Sequence, residues 1–277
     1  MEFRTILTHD DGTDRSDQRV ASAVRLAEVH DAHLTIMPFE IEMMVPTYAH
    51  SASLVGVYDT LYTETEARLD GRVRALTKRL EPTGVPFDIV PCFTTVDLIP
   101  VRFAQLARVS DLAVHGDPAG EAYEDTLERL IERSLFGGET AQLVLPCAAV
   151  ETVGASVLIA WNGRMETIRA VRQAMPFLRR ARGIEIAMID PQDGDTEVLP
   201  GRDLATYLSR HDLSVTVETL ASGGQRVAET LRDRAGEVGA DLIVMGAYGH
   251  SRLREYIIGG ATRDMLRTLT VPVLMAH

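Results

Sequence analysis

The sequence predicts an α/β protein built as two tandem doubly wound domains, each a five-stranded, mostly parallel sheet with helices on both faces. Three observations predict it. Strand-like and helix-like stretches alternate along the 277 residues, and helices of ten or more residues between strands imply βαβ units with right-handed crossovers. The strand-like stretches are near-continuous apolar runs, as a sheet covered on both faces requires. The same order of elements is written twice, with a boundary near Cys147 to Gly154, which sets domains at 1–148 and 154–277.

The first copy opens on a strand at Phe3 to Thr8, a helix from about Asp17 to Val29 and a strand from His33 to Phe39. In the second copy the corresponding stretches are Ser156 to Trp161, Arg164 to Arg182 and Ile184 to Ile189. Ile168, Val171, Ala174 and Met175, extended by Phe177 and Leu178 past Pro176, recur at helical spacing. Val85 to Pro91 matches Leu213 to Leu220 as a strand, and Pro100 to Val109 matches Arg226 to Val238 as a helix. The fourth strands are opened alike: Ser110-Asp111-Leu112-Ala113-Val114-His115-Gly116 and Ala240-Asp241-Leu242-Ile243-Val244-Met245-Gly246. Gln142 to Pro146 and Val271 to Met275 close the copies, with Phe136-Gly137-Gly138 expected just ahead of a last helix in the first. An insertion over about Glu40 to Gly56 and a helix over Val57 to Leu80 lengthen the first copy.

Composition is globular, 45% hydrophobic and 25% charged, which argues against a disordered or collagen-like chain. Two cysteines, Cys92 and Cys147, cannot make a disulfide framework and fit a reducing compartment. Met1-Glu2-Phe3-Arg4 shows no basic region ahead of an apolar core, and no apolar run reaches the roughly 18 residues of a membrane span. The expectation is a cytoplasmic protein without membrane insertion. Of the net charge of −12, nearly all falls in residues 1–150, with 24 acidic and 13 basic groups against 16 and 15 in the remainder. That sign disfavours nucleic acid, whose affinity rests on Lys and Arg contacts to phosphate.

Open α/β sheets bind ligands at the carboxyl ends of their strands, near the point where strand order reverses. In the second copy the fourth strand ends at Gly246 and runs on through Ala247, Tyr248, Gly249, His250, Ser251 and Arg252 to Gly259, Gly260 and Ala261. Gly246 and Gly249 let the backbone turn and approach a ligand without a Cβ in the way. Gly259-Gly260 stands where a helix should begin, and free N–H groups at a helix start make an anion site. Arg252 and Arg254 add charge-assisted phosphate contacts, and His250 either does the same or is exposed loop polarity.

Gly-x2-Gly-x9-Gly between an Ala-Asp-Leu-Ile-Val-Met strand and a Val-Pro-Val-Leu strand resembles the nucleotide loop of the universal stress protein family. The resemblance extends over the whole chain as a tandem type and implies the strand order 3-2-1-4-5 in each domain. It further implies adenine and ribose against Ala160, Trp161, Asn162 and Gly163, and against the backbone at Met188 and Ile189. The phosphates of ATP or AMP, with or without Mg²⁺, would lie on Gly246, Gly249, His250, Arg252, Gly259, Gly260 and Ala261. Two positions depart from the family: Asn162 stands for its usual Asp, and Gly260 for its usual Ser or Thr. Family members commonly dimerise through their last strands, so Val144 and Val273 are expected near an antiparallel contact inside this chain, as a pseudo-dimer that a homodimer could extend.

Other signals have plainer readings. Asn162 is also a good helix N-cap, Trp161 a packing residue, and Ser222-Gly223-Gly224-Gln225 a turn after a third strand. His9-Asp10-Asp11 makes a poor metal set, and the first copy, with Asp117 and Glu121, Glu124, Asp125 and Glu128 where phosphate would lie, reads as a scaffold that has lost nucleotide. No Walker A loop, Gly-x-Ser-x-Gly elbow or His-Glu-x-x-His motif occurs, so at most slow ATP hydrolysis is expected. Two functions remain: an adenine-nucleotide-responsive stress or regulatory protein acting on an unidentified protein partner, and a nucleotide-free scaffold acting through surface contacts.

Overall fold

The computed structural model describes residues 2–43, 52–119, 123–147, 150, 152–191, 199–248 and 260–277. They form two compact units: one of Phe3–His115 and Glu121–Gly138, the other of Met1–Glu2, Gly116–Gly120 and Glu139–His277. The first, N-terminal unit carries β1 (Thr5–Asp10), α1 (Asp14–His30), β2 (His33–Ile41), α2 (Ala52–Leu80), a 3-10 turn (Glu81–Thr83), β3 (Phe87–Ile89), β4 (Cys92–Thr94), α3 (Ile99–Ala107), β5 (Leu112–Gly116) and α4 (Glu124–Gly138). Strands β3, β2, β1 and β5 lie side by side and parallel, the 3-2-1-4 part of the expected order.

The second, C-terminal unit carries β6 (Ala141–Leu145), β7 (Ser156–Ala160), α5 (Met165–Gln173), α6 (Met175–Leu178), β8 (Gly183–Ile189), α7 (Gly201–Ser209), β9 (Thr216–Leu220), α8 (Val227–Val238), β10 (Leu242–Gly246), α9 (Gly260–Arg267) and β11 (Val273–Ala276). Its sheet runs β9-β8-β7-β10-β11 in parallel, which is 3-2-1-4-5, and β6 adds to β11 in antiparallel register. Val144 stands opposite Val273, the antiparallel contact that the family resemblance implied.

The repeated Asp has a physical cause. Before β5, the Asp111 carboxylate accepts the N–H groups of Arg4 at 2.7 Å and Thr5 at 2.9 Å, pinning the start of β1. Before β10, the Asp241 carboxylate accepts those of Gly154, Ala155 and Ser156 at 2.8–3.1 Å, pinning the start of β7. An incoming first strand has amides with no ladder partner, and one carboxylate satisfies them. Helix α1 is capped by Thr13, whose hydroxyl accepts from the Ser16 N–H at 3.2 Å.

Several elements differ from the sequence reading. Val85 to Pro91 holds only the three-residue β3, and beyond Pro91, which has no N–H for a ladder, the sequence reading missed β4, which pairs further along the nine-residue β2, Cys92 opposite Phe39. The helix expected over Arg164 to Arg182 breaks ahead of Pro176 into α5 and α6. Phe136-Gly137-Gly138 does not precede a helix but ends α4, and the Gly137 carbonyl accepts from Arg108 Nε at 2.8 Å. Helix α2 starts at Ala52 rather than Val57, and residues 44–51 of the insertion lie outside the described residues. Helix α7 had no counterpart in the sequence reading. Among the described residues, no helix is long and apolar enough to cross a membrane.

Candidate functional site

Strand order in the C-terminal unit reverses between β7 and β10, since β8 lies on one side of β7 and β10 on the other. Ala160 stands level with Ala187 of β8 and Met245 of β10. The next residues, Trp161, Met188 and Gly246, therefore share the carboxyl edge of three adjacent strands, where doubly wound folds take their ligands. Asn162 and Gly163 continue the chain from β7 into α5. Gly260 and Ala261 open α9, both exposed, with N–H groups that the helix itself cannot pair. The two ends of the loop from β10 to α9 are tied together, because the Tyr248 N–H donates to Thr262 Oγ1 at 3.4 Å. Gly249, His250, Arg252 and Gly259 lie outside the described residues.

Each described residue has a local role. Trp161 is buried, and its indole N–H donates to the Leu199 carbonyl at 2.8 Å, which makes it a packing residue. Asn162 Oδ1 accepts the Arg164 N–H at 3.0 Å and the Thr167 hydroxyl, and its Nδ2 donates to Glu166 Oε1 at 3.1 Å. The Asn thus closes the turn into α5, and its acceptor oxygen is engaged inside the protein. Gly246 is explained by packing: a Cβ there would lie 2.6 Å from Glu166 Cγ and 2.7 Å from the Thr167 backbone nitrogen. The first turn of α5 rests directly on the end of β10. Gly260 is the opposite case: among the described residues, nothing lies within 4 Å of where its Cβ would be.

Sequence reasoning missed Glu166, Thr167 and Thr262. All three are buried polar side chains of a first helical turn facing this edge, and a polar residue on the apolar side of a helix was the available signal. Ser222–Gln225 is a turn, closed by the Gln225 N–H to the Ser222 carbonyl at 3.0 Å. The Ser222 N–H also donates to Asp190 Oδ1 at 3.2 Å, and hydrogen bonds from Ser222 hold the exposed Asp190 carboxyl below its usual range.

The equivalent edge of the N-terminal unit is filled by its own side chains. Arg72 reaches from α2 to donate to the Phe39 carbonyl at 2.9 Å, the Asp10 carbonyl at 3.3 Å and Glu40 Oε1 at 2.6 Å. A Cβ on Gly12 would fall 2.6 Å from the guanidinium carbon. Behind it, buried Arg19 bonds Asp11 Oδ2 at 3.2 Å and the His9 carbonyl at 3.1 Å. The Asp11 and Glu40 carboxylates at this edge are thus paired from within, and guanidinium groups lie against it. Among the described residues, no group of three His, Cys, Asp or Glu could hold a metal.

His9 lies in an aromatic cluster, 5.6 Å from the rings of Phe103 and His115 and 6.2 Å from Phe39. Burial, then the charges of Arg19 and His115, push its pKa well below that of free imidazole. The unfolded chain takes up a proton near pH 6.5 that the folded one refuses, so stability is full above that pH and falls below it. The expected slope is up to ~1.4 kcal/mol per pH unit. Urea midpoints between pH 7.5 and 5.5 should fall in the parent and flatten in His9→Phe; an equal slope in both would remove His9 as the cause.

The C-terminal unit is therefore a doubly wound domain in which the start of α9 is joined by a hydrogen bond to the chain leaving β10. Residues 157–277 match the model of the universal stress protein family. A stretch of 34 residues is 53% identical to universal stress protein Slr1230 of a Synechocystis species, so the chain's match spans 12% of the length of that curated relative and 12% of its own. The fold of the whole chain is similar to that of a universal stress protein from Archaeoglobus fulgidus, at 14% identity and a TM-score of 0.73, covering 98% of this chain and 95% of that one. A Pseudomonas aeruginosa protein described as a putative universal stress protein has a TM-score of 0.59 at 17% identity, with 99% and 93% covered.

Proposed function

We propose that the chain is a cytoplasmic stress-response or regulatory protein that binds one adenine nucleotide, ATP or AMP, on its C-terminal domain of residues 154–277. The domain of residues 1–148 serves as a nucleotide-free scaffold. The observation that carries this reading is the register at the switch point: Ala160 level with Met245, so that Asn162 and Gly163 leave the edge beside Gly246. Adenine and ribose lie against Ala160, Asn162, Gly163 and the backbone at Met188. The phosphates lie on the loop through Gly249, His250, Arg252 and Gly259 and on the amides of Gly260 and Ala261. Free amides at the start of α9 favour an anion. The plugged edge of the N-terminal unit supports a stoichiometry of one. The nucleotide changes how the protein meets a protein partner.

The engaged oxygen of Asn162 and the missing hydroxyl at Gly260 favour a second reading, a nucleotide-free scaffold. Thermal unfolding with and without ATP, AMP and GTP, each with Mg²⁺, separates the two. Nucleotide at about 100 times its Kd adds ~2.7 kcal/mol of stability. Gly260→Ser, for which there is open space, should tighten ATP binding about tenfold or more, since a hydrogen bond to a charged group contributes ~1.5–3 kcal/mol. No shift in protein free of co-purified nucleotide, in either the parent or Gly260→Ser, leaves the scaffold.

A further inference from the structure

The N-terminal unit has a feature with no counterpart among the described residues of the other: the extra strand β4. Between β4, the chain leaving β2 and the first turns of α2 lies a cleft of about 330 Å³, at the small end of the ~300–1,000 Å³ range of ligand sites. Tyr58 and Tyr62, one turn apart on α2, face Phe93 of β4 and Met43 across it. The rings of Tyr62 and Phe93 pack with centroids 4.8 Å apart, yet Tyr62 is 46% exposed and Met43 61%. Among the described lining residues, the charged side chains are two carboxylates, Glu42 and Asp59. Arg68, further along α2, is turned to Glu40 at 3.6 Å and to the Thr65 hydroxyl at 2.9 Å.

We infer that this cleft binds an organic cation: an ammonium or quaternary ammonium group on an aromatic or aliphatic body. Aromatic faces attract a cation through their quadrupole, by ~0.5–2 kcal/mol according to its desolvation. Glu42 and Asp59 add opposite charge, and the apolar body covers the wall that Tyr62 and Met43 leave wet. An anionic ligand would meet two carboxylates and, among the described lining residues, no guanidinium or ammonium to offset them. The cleft lies in the N-terminal unit and the proposed nucleotide edge in the C-terminal one, so either can fail alone.

Calorimetric titration of the full chain with benzyltriethylammonium, benzyl alcohol and benzenesulfonate tests it. The cation should bind about tenfold or more tighter than the alcohol, the sulfonate should not bind, and added salt should weaken the cation alone. Saturating ATP should leave the cation's affinity unchanged. Glu42→Gln with Asp59→Asn should erase the preference for the cation while leaving the alcohol where it was. Tyr62→Ala, a change at a half-exposed residue, should lose both. Equal affinity for cation and alcohol, displacement of the cation by ATP, or no binding of the cation to folded parent protein would overturn the assignment.

Discussion

Gly246→Val is expected to destabilise the C-terminal unit by about 3 kcal/mol or more, at or above the upper end of overpacking costs. The added Cβ would lie 2.6 Å from Glu166 Cγ, 2.7 Å from the Thr167 backbone nitrogen and 2.8 Å from Thr167 Oγ1. A flexible side-chain tip could swing away, but a backbone nitrogen in the first turn of a helix cannot. Helix α5 would have to lift from β10, and with it go the bonds of Asn162 to Arg164, Glu166 and Thr167. Gly246→Ala should show a smaller loss of the same sign, and Gly260→Ala, in open space, none. Urea unfolding of the three variants checks the series. A loss below 1 kcal/mol in Gly246→Val would mean that α5 rides freely over the strand end and that Gly246 is there for a ligand alone.

That contrast shows how far the sequence could be read. The glycine spacing located the loop, yet two glycines alike in the pattern have different physical jobs. Gly246 makes room for a helix that belongs to a distant stretch of chain, and a Cβ on Gly260 would meet nothing within 4 Å among the described residues. Long-range packing of this kind leaves no local mark. Asp111 and Asp241 were legible as a repeat, but their task, holding the amides of a strand more than 80 residues earlier, appears only once the strands lie side by side. Periodicity recovered the alternation of strands and helices, and with it a parallel sheet, because apolar runs and helices are local properties; the strand order came from the family resemblance. The periodic pattern drew β3 too long and missed β4, since a three-residue strand carries too few residues to show a period. The arginine at the edge of the N-terminal unit was not legible: Arg72, 62 residues beyond Asp10, is brought to the Asp10 and Phe39 carbonyls and to Glu40 only by the fold. Glu166, Thr167 and Thr262 were missed for a related reason, because a polar residue beside an apolar stripe ordinarily faces water.

Arg19→Met should cost about 3–5 kcal/mol, the usual penalty for removing one member of a buried ion pair. Both side chains of the Arg19–Asp11 pair are 1% exposed. Burial by itself would raise the Asp11 pKa; the charge of Arg19 and hydrogen bonds from the Thr13 N–H and hydroxyl outweigh it and hold the carboxyl below its usual value. In the parent, Asp11 therefore stabilises the fold above its unfolded pKa, and that contribution is lost as pH falls through the lower, folded value. Without Arg19, burial is opposed by the Thr13 bonds alone. If the folded pKa then rises above the unfolded one, the folded state binds the extra proton and the variant recovers as pH falls. The stability gap between parent and variant should thus narrow between pH 7 and pH 5. His9 strengthens the same trend, because the charge of Arg19 helps keep its imidazole neutral and its removal eases protonation in the folded state. A gap that stays constant across this range would assign the loss to the packing of the arginine stem rather than to charge. A second variant, Arg19→Met with Asp11→Asn, should regain part of the stability at pH 7 by removing the buried carboxylate, and it should lose the pH dependence that Asp11 contributes.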